Sequence, residues 1–168
     1  MAAYGQSTPR VVTWEQHPAL SWTDFQGRPR RSTSEPSAVT ATGFRVQLEC
    51  HEGALDIRVA VEFYMKSSWV KPARKSPELL RHEQGHFDIT ELYARKMRRA
   101  VRDASIGCED DRRAEAAGKK LFEQLDREWE KAEKQYDSET KDGTDLLKQK
   151  EASEGIAREL AELSGYRL

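Results

Sequence analysis

Two histidines four residues apart, with a glutamate beside the first, are the part of this chain best suited to chemistry. Residues His82 to His86 read His-Glu-Gln-Gly-His. In an α-helix, side chains four positions apart lie on one face, so both imidazoles can approach a single ion. Zn²⁺ binds imidazole nitrogen well, and three protein ligands leave a position for water. Glu83 is placed to take a proton from that water.

The flanking sequence predicts that the motif lies on a long helix, over about residues 77–105. Ser76 is a suitable N-cap, and Pro77 is favourable at the first helical position. Gly107 is a suitable residue to end the helix. Because Gly85 costs roughly 1 kcal/mol relative to alanine inside a helix, we expect it to permit the close approach of substrate or of another backbone segment.

The remaining pattern predicts an α+β fold. A small N-terminal antiparallel β-sheet precedes the motif helix, a second long helix antiparallel to it, and a short C-terminal helix. Residues 38–49 and 55–64 alternate apolar and polar side chains as the strands of a hairpin do. An apolar stripe at helical spacing covers about residues 111–135, and a weaker one, which we expect Gly155 to interrupt, covers about residues 145–163. Strands that precede helices argue against a parallel βαβ fold.

Length and charge predict one domain that does not act mainly on nucleic acids. The 168 residues are enough for a single compact domain with its own core. Lys and Arg number 28 and Asp and Glu number 29, and this balance argues against nucleic acid as the main partner. No apolar run approaches the roughly 20 residues of a transmembrane segment. Within the domain we expect residues 1–9 to be a loose N-terminus, residues 10–65 to be mainly β and residues 76–168 to be mainly α.

The two cysteines and the start of the chain bear on localisation. Cys50 and Cys108 can form one disulfide or remain free thiols, and their spacing does not fit a cysteine zinc motif. Residues 1–10 lack the basic and then apolar pattern of a signal peptide. Two localisations stay open: periplasmic or secreted if a signal peptide has been trimmed, and otherwise cytoplasmic. No residue pattern in the sequence predicts a particular oligomeric state.

The third ligand distinguishes classes of zincin, the zinc peptidases that share this motif. One class carries a glycine three positions after the second histidine and a further histidine three positions later. Ile89 and Leu92 stand at those places, so that class is excluded. Another class supplies a glutamate from a following helix, for which Glu109 and Glu123 are candidates. A third class supplies an aspartate.

Further stretches of sequence accompany the motif and carry a resemblance. They are Leu20 to Gly27, Ala38 to Ala41, Ser68-Trp69-Val70, Leu80 to Ile89 and Tyr136 to Thr140. Together they resemble the bacterial domain of unknown function 922 family, over about residues 12–145 of the chain. Members of that family are regarded as zinc-dependent proteases by inference alone. The resemblance implies a single zincin-like metallopeptidase domain that binds Zn²⁺ and acts on a peptide or protein substrate.

The resemblance also implies where the third ligand lies. In the family the pattern Tyr-Asp-x-x-Thr is followed by x-His-Gly, and here Asp142 stands at the place of that histidine. An antiparallel second helix would return its end to the start of the motif helix. We therefore predict Asp142 as the third zinc ligand, with Gly143 permitting a tight approach. Asp137 or another of the nearby acids is the first alternative ligand, and Asp137 can instead orient a histidine ring. The second alternative is that Asp142 is a solvated turn residue.

Two functions are consistent with these residues. The first is a zinc-dependent peptidase, a hydrolase in which the metal activates water and Glu83 is the general base. Tyr136 is the candidate donor to the developing oxyanion, although a core tyrosine at the end of the apolar stripe is the alternative. The second is a non-catalytic zinc-binding or protein-interaction module on a zincin-like scaffold. Hydrolysis that Glu83→Gln removes without loss of zinc would separate them.

Overall fold

The fold is α+β as predicted, and a computed structural model describes it for residues 11–29 and 36–168. The expectation for residues 1–9 lies outside the described residues. The strands are β1 (Val11–Thr13), β2 (Ala38–Val39), β3 (Thr42–His51), β4 (Ala54–Tyr64) and β5 (Trp69–Val70), and the helices are α1 (Pro77–Ala104), α2 (Asp111–Thr140) and α3 (Leu146–Glu162). Within the described ranges, no helix combines the length and apolar character needed to cross a membrane.

The core lies between the hairpin and the motif helix. Strands β3 and β4 pair antiparallel, and β1 joins the other edge of β4 to give the order β1-β4-β3. The side chains of Val59, Val61 and Phe63 alternate along β4 and are fully buried. The Phe63 ring meets the Phe87 ring of α1 edge to face, with centroids 5.7 Å apart. The alternation of β4 therefore places one face of the sheet on α1, as a period of two requires.

One predicted strand is divided in the structure. Residues 38–49 were expected to form a continuous strand, but Ala38–Val39 leaves the hairpin and pairs antiparallel with Trp69–Val70. The division occurs at Ala41, whose backbone N–H donates to Ser68 Oγ (3.0 Å). The resulting two-stranded sheet brings residues 36–40 to the cavity that holds the two histidines.

Local signals account for the start of α1 but not for its end. Ser76 caps the helix as predicted, because its Oγ accepts from the backbone N–H of Leu79 (3.1 Å). The C-terminal stop is not Gly107: Ser105 adopts the left-handed conformation with φ of 46°. Gly107 instead forms an isolated β-bridge with Ala54. The predicted helix boundary is nonetheless within one or two residues of the observed one.

The two later helices are longer or more regular than predicted. Helix α2 continues to Thr140, five residues beyond the predicted end at 135, and then Lys141 turns left-handed with φ of 51°. Helix α3 runs without a break through Gly155, contrary to expectation. Because α2 is extended, Asp137 lies on the helix and not in the loop that follows it.

A buried charged group fastens the C-terminal part of the chain to α1. Arg95 and Arg98 are buried and both pair with Glu91, which is fully buried. Arg95 Nη1 donates to the carbonyl of Leu160 (2.6 Å), and Arg98 Nη1 donates to the carbonyl of Tyr166 (2.7 Å). Buried charges are tolerated when they are paired and hydrogen-bonded in this way. The end of α3 is therefore fixed to the motif helix.

The cysteines form a disulfide, the first of the two alternatives that the sequence leaves open. Cys50 at the end of β3 is bonded to Cys108 after α1, and 58 positions of sequence separate them. Backbone hydrogen bonds lie beside the bond, from Leu55 N to Ile106 O (2.8 Å) and from Cys108 N to Gly53 O (2.9 Å). The tip of the hairpin is thus tied to the connection between α1 and α2.

Replacing both cysteines with alanine should lower the free energy of unfolding by up to about 4 kcal/mol, because a closed loop of this length restricts the unfolded chain. Urea denaturation of wild type and of Cys50→Ala/Cys108→Ala measures the change. Reductant should shift wild type in the same direction and leave the double variant unaffected. Equal midpoints for the two proteins would contradict a stabilising role for the bond.

Candidate metal centre

Three ligand atoms from two helices converge at the motif. His82 and His86 of α1 point their Nε2 atoms at one another, 3.3 Å apart. Asp137 Oδ1 of α2 lies 3.2 Å from the first of these nitrogens and 3.0 Å from the second. A tetrahedral zinc ion with bonds of about 2.0–2.1 Å requires donor atoms about 3.3 Å apart. The three residues can therefore hold a metal ion without rearrangement.

The far nitrogen of each ring faces an acceptor. His82 Nδ1 lies 3.1 Å from Gln149 Oε1, and His86 Nδ1 is paired with Glu133 Oε2. A ring that donates from Nδ1 presents the Nε2 lone pair on its other side. Both lone pairs and the Asp137 carboxylate then meet at one point. Such a concentration of electron-rich atoms requires a cation between them, either a proton or a metal ion.

Without a metal ion, a proton on His86 supplies that charge. Burial disfavours the imidazolium, but hydrogen bonds to Asp137 and to Glu133 outweigh burial and raise the pKa of His86 to about 10. Burial likewise opposes ionisation of Asp137, yet contacts with His82 and His86 hold its pKa well below the usual range. A metal ion that binds here must displace the proton, as metal ions do at histidine sites in general.

Glu83 is buried beside the first ligand and is held by a residue from the sheet side. Thr40, between β2 and β3, donates its hydroxyl to Glu83 Oε2 (2.6 Å). Burial raises the pKa of Glu83, and the hydrogen bond from Thr40 opposes part of that rise. Glu83 lines a cavity of about 590 Å³ together with residues 36–40, Leu79, His82, His86, Glu133, Asp137, Lys141, Asp142 and Thr144. The acid predicted as general base thus opens onto the same cavity as the three ligands.

Tyr136 packs against His82 and does not line the cavity. Its ring stacks on the His82 ring, with centroids 4.9 Å apart and planes inclined by 8°. Its hydroxyl donates to the His82 carbonyl (3.1 Å) and accepts from Gln149 Nε2 (2.6 Å). This placement does not support the predicted role as oxyanion donor, because the hydroxyl proton is already engaged. It matches the alternative of a core tyrosine at the end of the apolar stripe.

Gly85 makes room for that tyrosine. A Cβ atom on Gly85 would lie 2.0 Å from the Tyr136 hydroxyl oxygen, far closer than atoms can approach. The close approach expected at this glycine is therefore made by a side chain, and not by substrate or another backbone segment. This contact sets how closely α2 packs against α1 at the histidine motif.

Asp142, the predicted third ligand, lines the cavity but is not part of the converging group. It lies in the turn after α2 with φ of 53°, and its N–H donates to the Asp137 carbonyl (2.9 Å). The ligand atoms that lie within 4.8 Å of one another among the described residues belong to His82, His86 and Asp137. Asp137, the alternative to Asp142 in the sequence analysis, therefore lies at the position of the third ligand. The tight approach predicted for Gly143 is present, since a Cβ atom there would lie 2.7 Å from His82 Cβ.

Three supporting residues were not identified from sequence: Thr40, Glu133 and Gln149. A signal existed for Glu133, which is four positions before Asp137 on α2 and so shares its face. Trp129, one turn earlier, donates its indole N–H to Glu133 Oε1 (2.9 Å). Thr40 and Gln149 approach from separate parts of the chain, and no local spacing links them to the motif. Glu109 and Glu123, the candidates for a glutamate ligand from a following helix, are not among the three residues that converge.

Comparison with known proteins gives one match. The family model described as "Bacterial protein of unknown function (DUF922)" matches residues 1–143. No curated protein and no solved structure matches the chain. The match includes both histidines and Asp137 and ends before α3.

Asp137 and Asp142 make a matched pair for testing the third ligand. Asp137→Ala should weaken Zn²⁺ binding by at least about 100-fold, because loss of residues that merely orient a ligand already costs about 10–100-fold. Asp142→Ala should change affinity by less than about threefold, since its carboxylate is outside the converging group. Competition with a chromogenic chelator measures both. The reverse ranking would restore Asp142 as the ligand.

Two glycines in helices test the contact beneath the site. Gly85→Ala should destabilise the protein and weaken Zn²⁺ binding, because the new methyl group displaces Tyr136 and with it α2. Gly155→Ala is the control: its Cβ meets only Arg158 Nη2 at 3.9 Å, so it should stabilise α3 by up to about 1 kcal/mol. Thermal unfolding and chelator competition report the two effects. A stabilising Gly85→Ala would show that the contact does not constrain the helices.

Proposed function

We propose that this chain, which belongs to the bacterial family of unknown function DUF922, is a zinc-dependent peptidase of the zincin type that hydrolyses peptide bonds in peptides or proteins. The observation that carries the proposal is the position of Glu83. Its carboxylate is buried, held by Thr40, and opens onto the cavity where His82, His86 and Asp137 converge. A site that served only to bind a metal would not need an acid in that place.

His82, His86 and Asp137 would hold the zinc ion. Two imidazole nitrogens and one carboxylate oxygen are a donor set that zinc accepts, and three protein ligands are typical of its catalytic sites. When bound, the ion would supply Lewis acidity, which lowers the pKa of water and polarises a carbonyl group. The remaining chemistry falls to the residues around it.

Glu83 would act as general base and then as general acid. Among its described contacts, Oε2 accepts from Thr40, which leaves Oε1 to take a proton from the attacking water. The raised pKa of the buried Glu83 carboxyl favours this exchange, because a base works best when its pKa approaches the working pH. The same oxygen can return the proton to the leaving amine. The bond to Thr40 keeps the carboxylate in one orientation through both transfers.

The carboxylates of α2 would give the site its rigidity and charge. Glu133 is hydrogen-bonded to His86 on one side and to the Trp129 indole on the other, so the imidazole is held from behind. A carboxylate behind a histidine fixes its tautomer and makes it a more basic ligand. Asp137 contributes the negative charge that offsets a divalent cation.

The test is hydrolysis of a mixed peptide library by wild type and by Glu83→Gln, with zinc content measured on the same samples. Glu83→Gln should keep about one zinc ion per chain and lose hydrolysis by at least about 100-fold, the contribution of a general base. Gln84→Glu is a poor control because Gln84 bonds the Leu20 backbone. Glu139→Gln, an exposed acid on α2, is suitable and should leave both readouts unchanged.

Two outcomes would reject the proposal in different ways. Zinc bound by wild type without any hydrolysis that depends on Glu83 would favour the non-catalytic zinc-binding or interaction module. Full zinc content in both His82→Ala and His86→Ala would show that these histidines do not form the zinc site.

A further inference from the structure

We propose that Gln149 of α3 is a positioning residue that sets the tautomer of His82 and thereby completes the metal site. The inference rests on the proposed function, since it concerns the same site. Gln149 lies beyond residues 1–143, the region shared with the family, and the residue is 1% exposed. Among the residues of α3, all of which the structure describes, only Gln149 is buried.

The orientation of the Gln149 amide is fixed by neighbours that can act in one direction only. The His82 carbonyl can only accept, so the Tyr136 hydroxyl that contacts it donates there and accepts from Gln149 Nε2. The Ser153 hydroxyl donates to the Gln149 carbonyl (2.9 Å), so its oxygen accepts the second hydrogen of the same amide nitrogen (3.1 Å). Both amide hydrogens are therefore used, and Oε1 must be the atom that faces His82.

The proton on His82 follows from that orientation. Gln149 Oε1 is an acceptor 3.1 Å from His82 Nδ1, so Nδ1 must carry the hydrogen. Thr140 agrees: its hydroxyl donates to the Tyr136 carbonyl (2.7 Å), which leaves its oxygen to face Nδ1 as a second, weaker acceptor at 3.4 Å. With its hydrogen on Nδ1, the ring presents an unprotonated Nε2 to His86 and Asp137.

Gln149 thus does for His82 what Glu133 does for His86. A neutral amide is used where the ring is stacked on Tyr136 and buried, and a carboxylate is used where the ring is more open. Helix α3 is held in register at its other end, because Arg95 donates to the Leu160 carbonyl. The helix is consequently fixed at both ends along α1, and this positions Gln149 beside His82.

The first experiment compares zinc affinity in three variants by chelator competition. Gln149→Leu, of similar size but without an acceptor, should weaken binding by about 10–100-fold, the usual effect of removing a residue that orients a histidine ligand. Gln149→Glu keeps an acceptor for Nδ1–H but loses the hydrogens donated to Tyr136 and Ser153, so it should bind zinc less tightly than wild type and more tightly than Gln149→Leu. Gln135→Leu, the same change at an exposed position of α2, should match wild type.

The second experiment measures the tautomer directly and does not need metal. Long-range ¹H–¹⁵N spectra of zinc-free wild type should show the hydrogen of the neutral His82 ring on Nδ1, and Gln149→Leu should shift the ring toward a mixture of tautomers. The hydrogen on Nε2 in wild type would overturn the role of Gln149, whether or not Gln149→Leu folds.

The outcomes separate this inference from the proposed function. If wild type binds zinc and folded Gln149→Leu binds it equally well, Gln149 is only structural and this inference fails alone. If wild type binds no zinc, the proposed function fails and the role of Gln149 at a metal site fails with it. Weakened binding in Gln149→Leu, partly restored in Gln149→Glu, supports the inference.

Discussion

The packing of Tyr136 against Gly85 is the contact on which the site depends. Without a side chain at position 85, the hydroxyl of Tyr136 reaches the helix backbone, and its ring lies flat on His82. Glu133 and Asp137 lie on the adjoining face of α2. The Tyr136–Gly85 contact therefore places both carboxylates beside the two imidazoles. A glycine costs roughly 1 kcal/mol inside a helix, and here the cost is offset by the packing of two helices at close range.

The site is built to be completed by positive charge. Two imidazoles with acceptors behind them, and a carboxylate in front, direct electron density to a single point. A proton on His86 satisfies this arrangement, because hydrogen bonds to Asp137 and Glu133 raise the pKa of the imidazole against the effect of burial. The same electrostatics would favour a divalent ion. The carboxylates of α2 therefore supply the negative charge that favours a cation, and the histidines of α1 set where that cation can lie.

The C-terminal helix is integrated into this arrangement even though it follows the region shared with the family. Most of α3 is exposed, and Leu146 and Leu147 at its start are 58% and 66% exposed. Polar contacts hold it near both ends, made by Gln149 at one end and by the guanidinium group of Arg95 at the other. Directional hydrogen bonds of this kind fix the position of a helix more narrowly than a small apolar contact does.

The sequence by itself determined the elements whose signals are local. The histidine motif on a capped helix, the hairpin and the apolar stripe of α2 follow from spacing, period and end residues within one segment. Tertiary structure decided the rest. Whether α2 ended near residue 135 or at Thr140 depended on its packing against α1, and that extension placed Asp137 instead of Asp142 at the histidines. Thr40 reaches the site from the connection between β2 and β3, and Gln149 reaches it from α3. No sequence spacing links them to the motif, since hydrogen bonds across 43 and 67 positions of sequence exist only once the chain has folded.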